Sequence, residues 1–240
     1  MNILITICAR GGSKGLPKKN IKKLNGKHLI SYSIDVAKKF KELYKGSHIV
    51  LSSDSDKIIE ISKQYNLFSD YVRPVKFAGD NVGKLDAIRD VLFFFENKNQ
   101  IKYDYVLDLD VTSPLRNVKD LLNAFQKIES DKKALSIFSV SHPNRNPYFN
   151  MVEKKSNGYY NLVKNSDKFF LSRQKSPYVY DMNASFYFYR RTFFEKNYKT
   201  AITENSLIYL IDHICFDIDE KLDFEIMEYL ISSNKLDFDL

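Results

Sequence analysis

Ile3-Leu4-Ile5-Thr6-Ile7-Cys8-Ala9-Arg10-Gly11-Gly12-Ser13-Lys14-Gly15-Leu16-Pro17-Lys18-Lys19-Asn20 opens the chain and decides how the rest of it is read. Ile3 to Cys8 is a short, nearly continuous apolar run, the pattern of a strand covered on both faces. A glycine-rich turn follows at once. At the carboxyl edge of a parallel strand such a turn lets backbone N–H groups approach phosphate oxygens, and Arg10, Lys14 and Lys19 add cationic donors. By composition and position this is a cradle for a triphosphate. It fits neither the Walker A pattern nor the dinucleotide G-x-G-x-x-G fingerprint, so those two nucleotide-binding classes lose weight.

Outward from that strand, strand-like and helix-like segments alternate. Leu29 to Tyr44 places Ile30, Ile34, Ala37 and Leu43 on one helical face. Strands are expected at His48 to Ser52, Tyr103 to Leu109 and Leu135 to Val140, and helices at Asp56 to Tyr65 and Asp86 to Glu96. Asn117 with Asp120 resembles a capping box and opens a helix that carries Val118, Leu121, Leu122, Phe125 and Ile128 inward. This rhythm predicts an α/β fold with a mostly parallel sheet and helices on both faces, in a single domain spanning residues 1–240. It breaks between about 141 and 180, where alternating apolar residues flank Ser156-Asn157-Gly158 and predict an inserted β-hairpin arm. Tyr148, Phe149, Tyr159 and Tyr160 are more aromatic surface than a small arm carries alone, so it is expected to pack on something, such as a second subunit. Ala184 to Tyr189 and Cys215 to Ile218 read as further strands, and Glu220 to Ser232 as a closing helix.

The chain has 240 residues, 44% of them hydrophobic, enough for a sizeable core. Its formal net charge of +7 admits nucleic acid, an anionic membrane surface or a small anionic substrate. A nucleic-acid-binding module would interleave exposed aromatics with basic residues, whereas most aromatics here fall at core positions, so no nucleic acid is expected as a partner. No apolar run is long enough to span a bilayer, and the apolar start lacks a basic leader region; a cytoplasmic protein without a membrane partner is expected. Cys8 and Cys215 lie in apolar runs and read as buried free thiols. His28, His48, His142 and His213 have no metal-ligand spacing and read as structural or surface residues.

Two acidic pairs accompany the glycine-rich loop. In Phe216-Asp217-Ile218-Asp219 the carboxylates stand at a spacing that puts both on one face of a strand, as a magnesium ion bridging protein and triphosphate needs. Asp219 would equally serve as the N-cap of the last helix. Asp108-Leu109-Asp110-Val111-Thr112-Ser113-Pro114-Leu115-Arg116 ends a strand with two more acids on one face. Asp110 suits a metal ligand or an acceptor for a substrate hydroxyl, and Asp108 a pairing inside the fold.

ARGGSKGLPKKN with LNGKHLISYSI, then Arg73-Pro74, Ala78-Gly79-Asp80, TSPLR at Thr112 to Arg116 and DID with Lys221 to Asp223 run in order along nearly the whole chain. Together they resemble the acylneuraminate cytidylyltransferases, the CMP-sialic acid synthetases. The resemblance implies a Rossmann-like nucleotidyltransferase fold, a Mg2+-dependent reaction of CTP with an acidic nine-carbon α-keto sugar, and a homodimer with a shared active site. Position by position, it implies that Arg10, Ser13, Lys19 and Asn20 hold CTP, Arg73 the cytidine half, and Asp217 and Asp219 the metal. Asn183 matches the family's Asn-Gly pair, and Arg173 an arm arginine that reaches the sugar carboxylate of the neighbouring subunit. TSPLR in place of a GDEP-like segment argues against the enzymes of the eight-carbon keto-deoxy sugar. Departures from the pattern are Asp110-Val111 for Gln-Pro, Ala184 for glycine, Pro147-Tyr148-Phe149-Asn150 where some members have a lysine, and Lys84 for a small hydroxyl residue. Lys84 is expected at the triphosphate. Phe149 or Val111 would suit a deoxygenated or N-acylated sugar such as legionaminic or pseudaminic acid.

Overall fold

A computed structural model describes residues 1–12, 15–79 and 82–240. The chain runs through β1 (Ile3–Cys8), the short ladder of β2 (Lys23–Leu24) and β3 (Lys27–His28), α1 (Leu29–Leu43), β4 (Ser47–Ser52), α2 (Asp56–Gln64) and α3 (Lys84–Asn99). It continues through β5 (Tyr105–Leu109), α4 (Val118–Ser130), β6 (Ser136–Ser141), β7 (Val152–Lys154), β8 (Tyr160–Leu162), β9 (Asp181–Arg190), β10 (Ser206–Leu210) and α5 (Lys221–Ser232). Six strands form one sheet in the order β10-β6-β9-β5-β1-β4. β1 is parallel to both β4 and β5, β10 is parallel to β6, and β9 alone is antiparallel to its neighbours.

The alternation of side chains along β1 splits the core into two layers. Ile3, Ile5 and Ile7 join the layer that holds Ile34 and Phe40 of α1 and Phe125 of α4. Leu4 joins the other layer with Ile88, Val91 and Leu92 of α3, and Cys8 packs on its border. α4 begins with the expected capping box: the Asn117 side chain accepts the Asp120 N–H at 3.1 Å and the Asp120 carboxylate accepts the Asn117 N–H at 2.9 Å. α3 starts two residues before its expected limit, which places Lys84 in its first turn.

Between β6 and β9 lies the arm, whose strands β7 and β8 pair antiparallel around the turn that ends at Gly158, with φ +85. One expected strand is corrected. Cys215 to Ile218 is irregular backbone, and the outer position of the sheet belongs to β10. The Ile211 N–H still bonds to Val140 at the end of β6, after which the chain leaves the sheet, and the Ile218 N–H bonds to the Thr112 carbonyl instead. The apolar character of this run serves burial, Ile218 being fully enclosed in the core. Among the described residues no helix is long and apolar enough to cross a membrane.

Candidate active site

The carboxyl ends of β1 and β5, the first turn of α3 and the segment before α5 surround a cleft of ≈ 600 Å³. Arg10, Gly12, Gly15, Lys19 and Asn20 of the first loop line it, together with Arg73, Lys84, Asp110, Thr112 and Asp219. The loop is held from behind. Asn20 donates through Nδ2 to the Arg10 carbonyl at 2.9 Å, and Asp54 accepts the Gly11 N–H at 2.9 Å. Gly15 lies so close to the Asp219 carbonyl oxygen that a Cβ there would overlap it. Lys19 joins the same two segments, donating to the Ile218 carbonyl and standing 3.4 Å from Asp219 Oδ1. Arg73 is buried, with Nε donating to Ser52 Oγ at 2.9 Å and Nη2 to the Ser52 carbonyl at 2.8 Å, which ties it to the end of β4.

At one wall of the cleft, strand alternation puts Thr6, Asp108 and Asp110 on the α3 side of the sheet. Lys84 Nζ stands 2.7 Å from Asp108 Oδ2 and 2.7 Å from Asp110 Oδ2. Asp108 Oδ1 accepts the Thr6 hydroxyl at 2.7 Å, and Asp110 Oδ1 accepts both the N–H and the hydroxyl of Thr112, at 2.8 and 2.9 Å. Burial opposes the charge of Asp110, but Lys84 and Thr112 outweigh it and hold the carboxyl at about 2. Burial, reinforced by Asp108, pushes the neighbouring Cys8 thiol up to about 12, so it stays protonated.

Asp219 faces the cleft and is largely exposed. Asp217 is half-buried outside the lining, and burial first and Asp219 second raise its carboxyl above the usual range. The same-face argument for this pair does not hold, because no strand is present. Nor is Asp219 the N-cap: that residue is Glu220, whose side chain and Asp223 form a capping box. Ser13 and Lys14, assigned to the nucleotide by sequence, fall outside the described residues, as does Asp80.

Arg173 lies exposed on the arm, with Nη1 3.2 Å from the Pro143 carbonyl, and does not line this cleft. Asn183 is buried: its Oδ1 accepts the Ser139 hydroxyl at 2.6 Å and its Nδ2 donates to Ser141 Oγ at 2.8 Å. It stabilises the join of β6 and β9, where the pairing shifts register and Ala184 adopts φ 56. Val111 is buried in the core and cannot face a sugar from there, which corrects that part of the specificity argument. Arg116 is also internal, bonding to the carbonyls of Ser113, Asp110 and Ser185. Sequence reasoning missed Phe77, Thr112 and Glu220 as cleft residues. Only Thr112 carried a signal, a hydroxyl two positions after Asp110.

A family model described as Cytidylyltransferase matches residues 4–236. "Post-translational flagellin modification protein B" of Campylobacter coli is 39% identical over 98% of this chain and 97% of its own length. "CMP-N,N'-diacetyllegionaminic acid synthase" of Campylobacter jejuni is likewise 39% identical, over 98% and 97%. In fold, the chain is similar to a CMP:2-keto-3-deoxy-manno-octonic acid synthetase solved with CTP, with TM-score 0.71 and 14% identity over 98% of this chain and 100% of that one. The glycine-rich cleft thus sits in a match that extends over nearly the whole sequence, and the chain belongs to the cytidylyltransferase family of nucleotidyltransferases.

Proposed function

We propose that this chain couples CTP to a nine-carbon α-keto acid sugar of the legionaminic type, releasing pyrophosphate, with Mg2+ held by Asp217 and Asp219 and with two subunits completing each site. The observation that carries the reading is the contact of Gly15 with Asp219, which brings the acidic segment against the phosphate loop. The choice of sugar is supported by the full-length similarity to a legionaminic acid synthase, and N-acetylneuraminic and pseudaminic acids are its competitors.

The residues fit a magnesium ion. Among the described residues no group of three or more metal-ligating side chains forms a closed site. Asp219 at the open cleft, with Asp217 half-buried two residues before it, is within the usual protein share for Mg2+, one or two carboxylates, with nucleotide oxygens and water as the other ligands. Asp217 is pushed upward by burial first and by Asp219 second, and the second is a repulsion that a cation would relieve. When bound, the ion supplies charge neutralisation on the triphosphate.

Arg10 and Lys19 bind the triphosphate and offset the charge that develops on the departing pyrophosphate. The sugar's C2 hydroxyl attacks the α-phosphorus in line, forming the new P–O bond as the bond to pyrophosphate breaks and the hydroxyl proton passes to solvent water. Asp110, held near 2, is too weak a base to take that proton efficiently at neutral pH, so its part is orientation.

Pyrophosphate release with Mg2+ should appear with CTP and not with ATP, GTP or UTP, and be fastest with N,N'-diacetyllegionaminic acid. Asp217→Asn should lower turnover by about 100-fold or more with the folded state intact, the scale of losing a group that organises transition-state charge. A folded protein inactive on every CTP and sugar pair, or full activity in Asp217→Asn, defeats this reading.

A further inference from the structure

The Lys84 ammonium is surrounded on three sides. Asp108 and Asp110 each place an oxygen 2.7 Å from it, and the Tyr187 ring lies below it with its centroid at 5.5 Å. Asp108 is fully enclosed, and its Oδ2 has no hydrogen-bond partner among the described residues beyond this ion pair. A buried carboxylate left unpaired is strongly destabilising, so Lys84 cannot be spared from that contact. Both oxygens of Asp110 are engaged as well, Oδ1 by Thr112 and Oδ2 by Lys84. The group that the sequence assigns to the triphosphate therefore directs two of its three N–H donors at carboxylates, and both oxygens of the carboxylate that the sequence offers to a metal already accept hydrogen bonds.

We propose that Lys84 is a positioning residue whose ammonium acts as a built-in cation on the Asp108–Asp110 pair, fixing Asp110 at the cleft wall as an acceptor for a sugar hydroxyl, in the place where a divalent ion would otherwise be needed. It does not grip the triphosphate. This inference rests on the cytidylyltransferase reading for its consequences in turnover, but not for its consequence in ion binding.

Lys84→Met keeps most of the side-chain length and removes the charge. The nucleotide-free variant, titrated with Mn2+ and followed by electron paramagnetic resonance, is expected to bind one more ion than the wild-type protein, and Lys84→Met/Asp110→Asn to lose that extra ion. In turnover, Lys84→Met should raise the KM for the sugar or lower kcat by about tenfold or more while the dissociation constant for CTP moves by less than about threefold. Lys84→Arg, which retains a cation, should recover part of the loss. If Lys84→Met does not fold, Lys84→Met/Asp108→Asn removes both members of the buried pair and serves for the same kinetic comparison. A rise of tenfold or more in the CTP dissociation constant with an unchanged KM for the sugar would show a triphosphate grip and overturn the proposal. So would identical Mn2+ stoichiometry in wild type and Lys84→Met. Absence of turnover in the wild type defeats the functional reading instead, and the Mn2+ comparison remains readable without it.

Discussion

A side chain at position 15 would occupy the space that the Asp219 carbonyl fills, so the glycine-rich loop and the acidic segment approach each other only because glycine is there. Gly15→Ala must push the two apart, and whether the loop or the segment yields, Arg10, Lys19 and the acids lose the spacing that the proposed triphosphate site requires. The expected result is a rise in the KM for CTP of roughly tenfold, a loss of about 1.4 kcal/mol of nucleotide binding. The melting temperature should be nearly unchanged, because the contact lies in exposed loops. Steady-state kinetics beside thermal unfolding check this; an unaltered KM would mean that the close approach has no bearing on CTP. The glycine itself was legible in the sequence, as were Arg10, Lys19 and Asp110, because each sits in a loop or at a strand end that a parallel sheet gathers on one edge, whereas Asn20 and Arg73 came from the family resemblance alone. The engagement of Lys84 with two aspartates was not legible. It depends on how α3 docks against β1, and no spacing along one chain encodes that distance.

Helices and inner strands were read correctly from periodicity because each buries a regular face, and α4 even announces its first turn through Asn117 and Asp120. The outer edge of the sheet was misread for a related reason. Every residue of β10 is only partly buried, so Ser206 to Leu210 has a weak pattern, whereas Cys215, Phe216 and Ile218 are apolar because they join the core cluster that holds Phe224 and Met227 of α5, without joining a ladder. His213 lies in the connection between the two. Its Nε2 is 2.9 Å from Asp120 Oδ2, its Nδ1 is 3.1 Å from the Ile214 carbonyl, and its ring stacks on Phe238 at 3.7 Å. Burial works against the imidazolium, but Asp120, the Ile214 carbonyl and the nearby Asp237 outweigh it and raise the pKa. A base whose pKa is higher in the folded state gives stability that is complete below the unfolded value of about 6.5 and is lost as pH rises through the folded value. Thermal unfolding of wild type against His213→Gln across this range should therefore show a wild-type advantage of roughly 1.5 kcal/mol at low pH, the scale of a charge-assisted hydrogen bond. The advantage should shrink toward alkaline pH. A gap that is constant with pH would mean that packing on Phe238, and not the charge, fastens this connection.

At the scale of the whole molecule, the arm presents apolar surface that its own chain does not cover. Phe169 is 98% exposed, Tyr178 88% and Tyr159 76%, with Val152, Tyr160 and Leu171 also exposed nearby. Monomeric soluble proteins rarely display so many large apolar groups in one short segment. Arg173 lies on the same arm and away from its own cleft, which suits a residue that acts in the site of a second copy. Light scattering on the purified protein should then give twice the chain mass, and Phe169→Ser with Leu171→Ser should yield monomers with little activity. Sharing of the site has a sharper test. Arg173→Ala and Asp217→Asn would each be inactive alone, but in a mixture allowed to exchange subunits, half of the dimers would be mixed. Each mixed dimer places both lesions in one site and leaves the other site intact, so activity should return to about a quarter of the wild-type level, as expected for a two-fold symmetric pair. If Arg173 serves its own subunit's cleft, every site in every dimer carries one lesion and mixing restores nothing. A mixture that stays inactive while native mass spectrometry of differently tagged chains shows mixed dimers would thus separate the dimer itself from the shared site, leaving the first and removing the second.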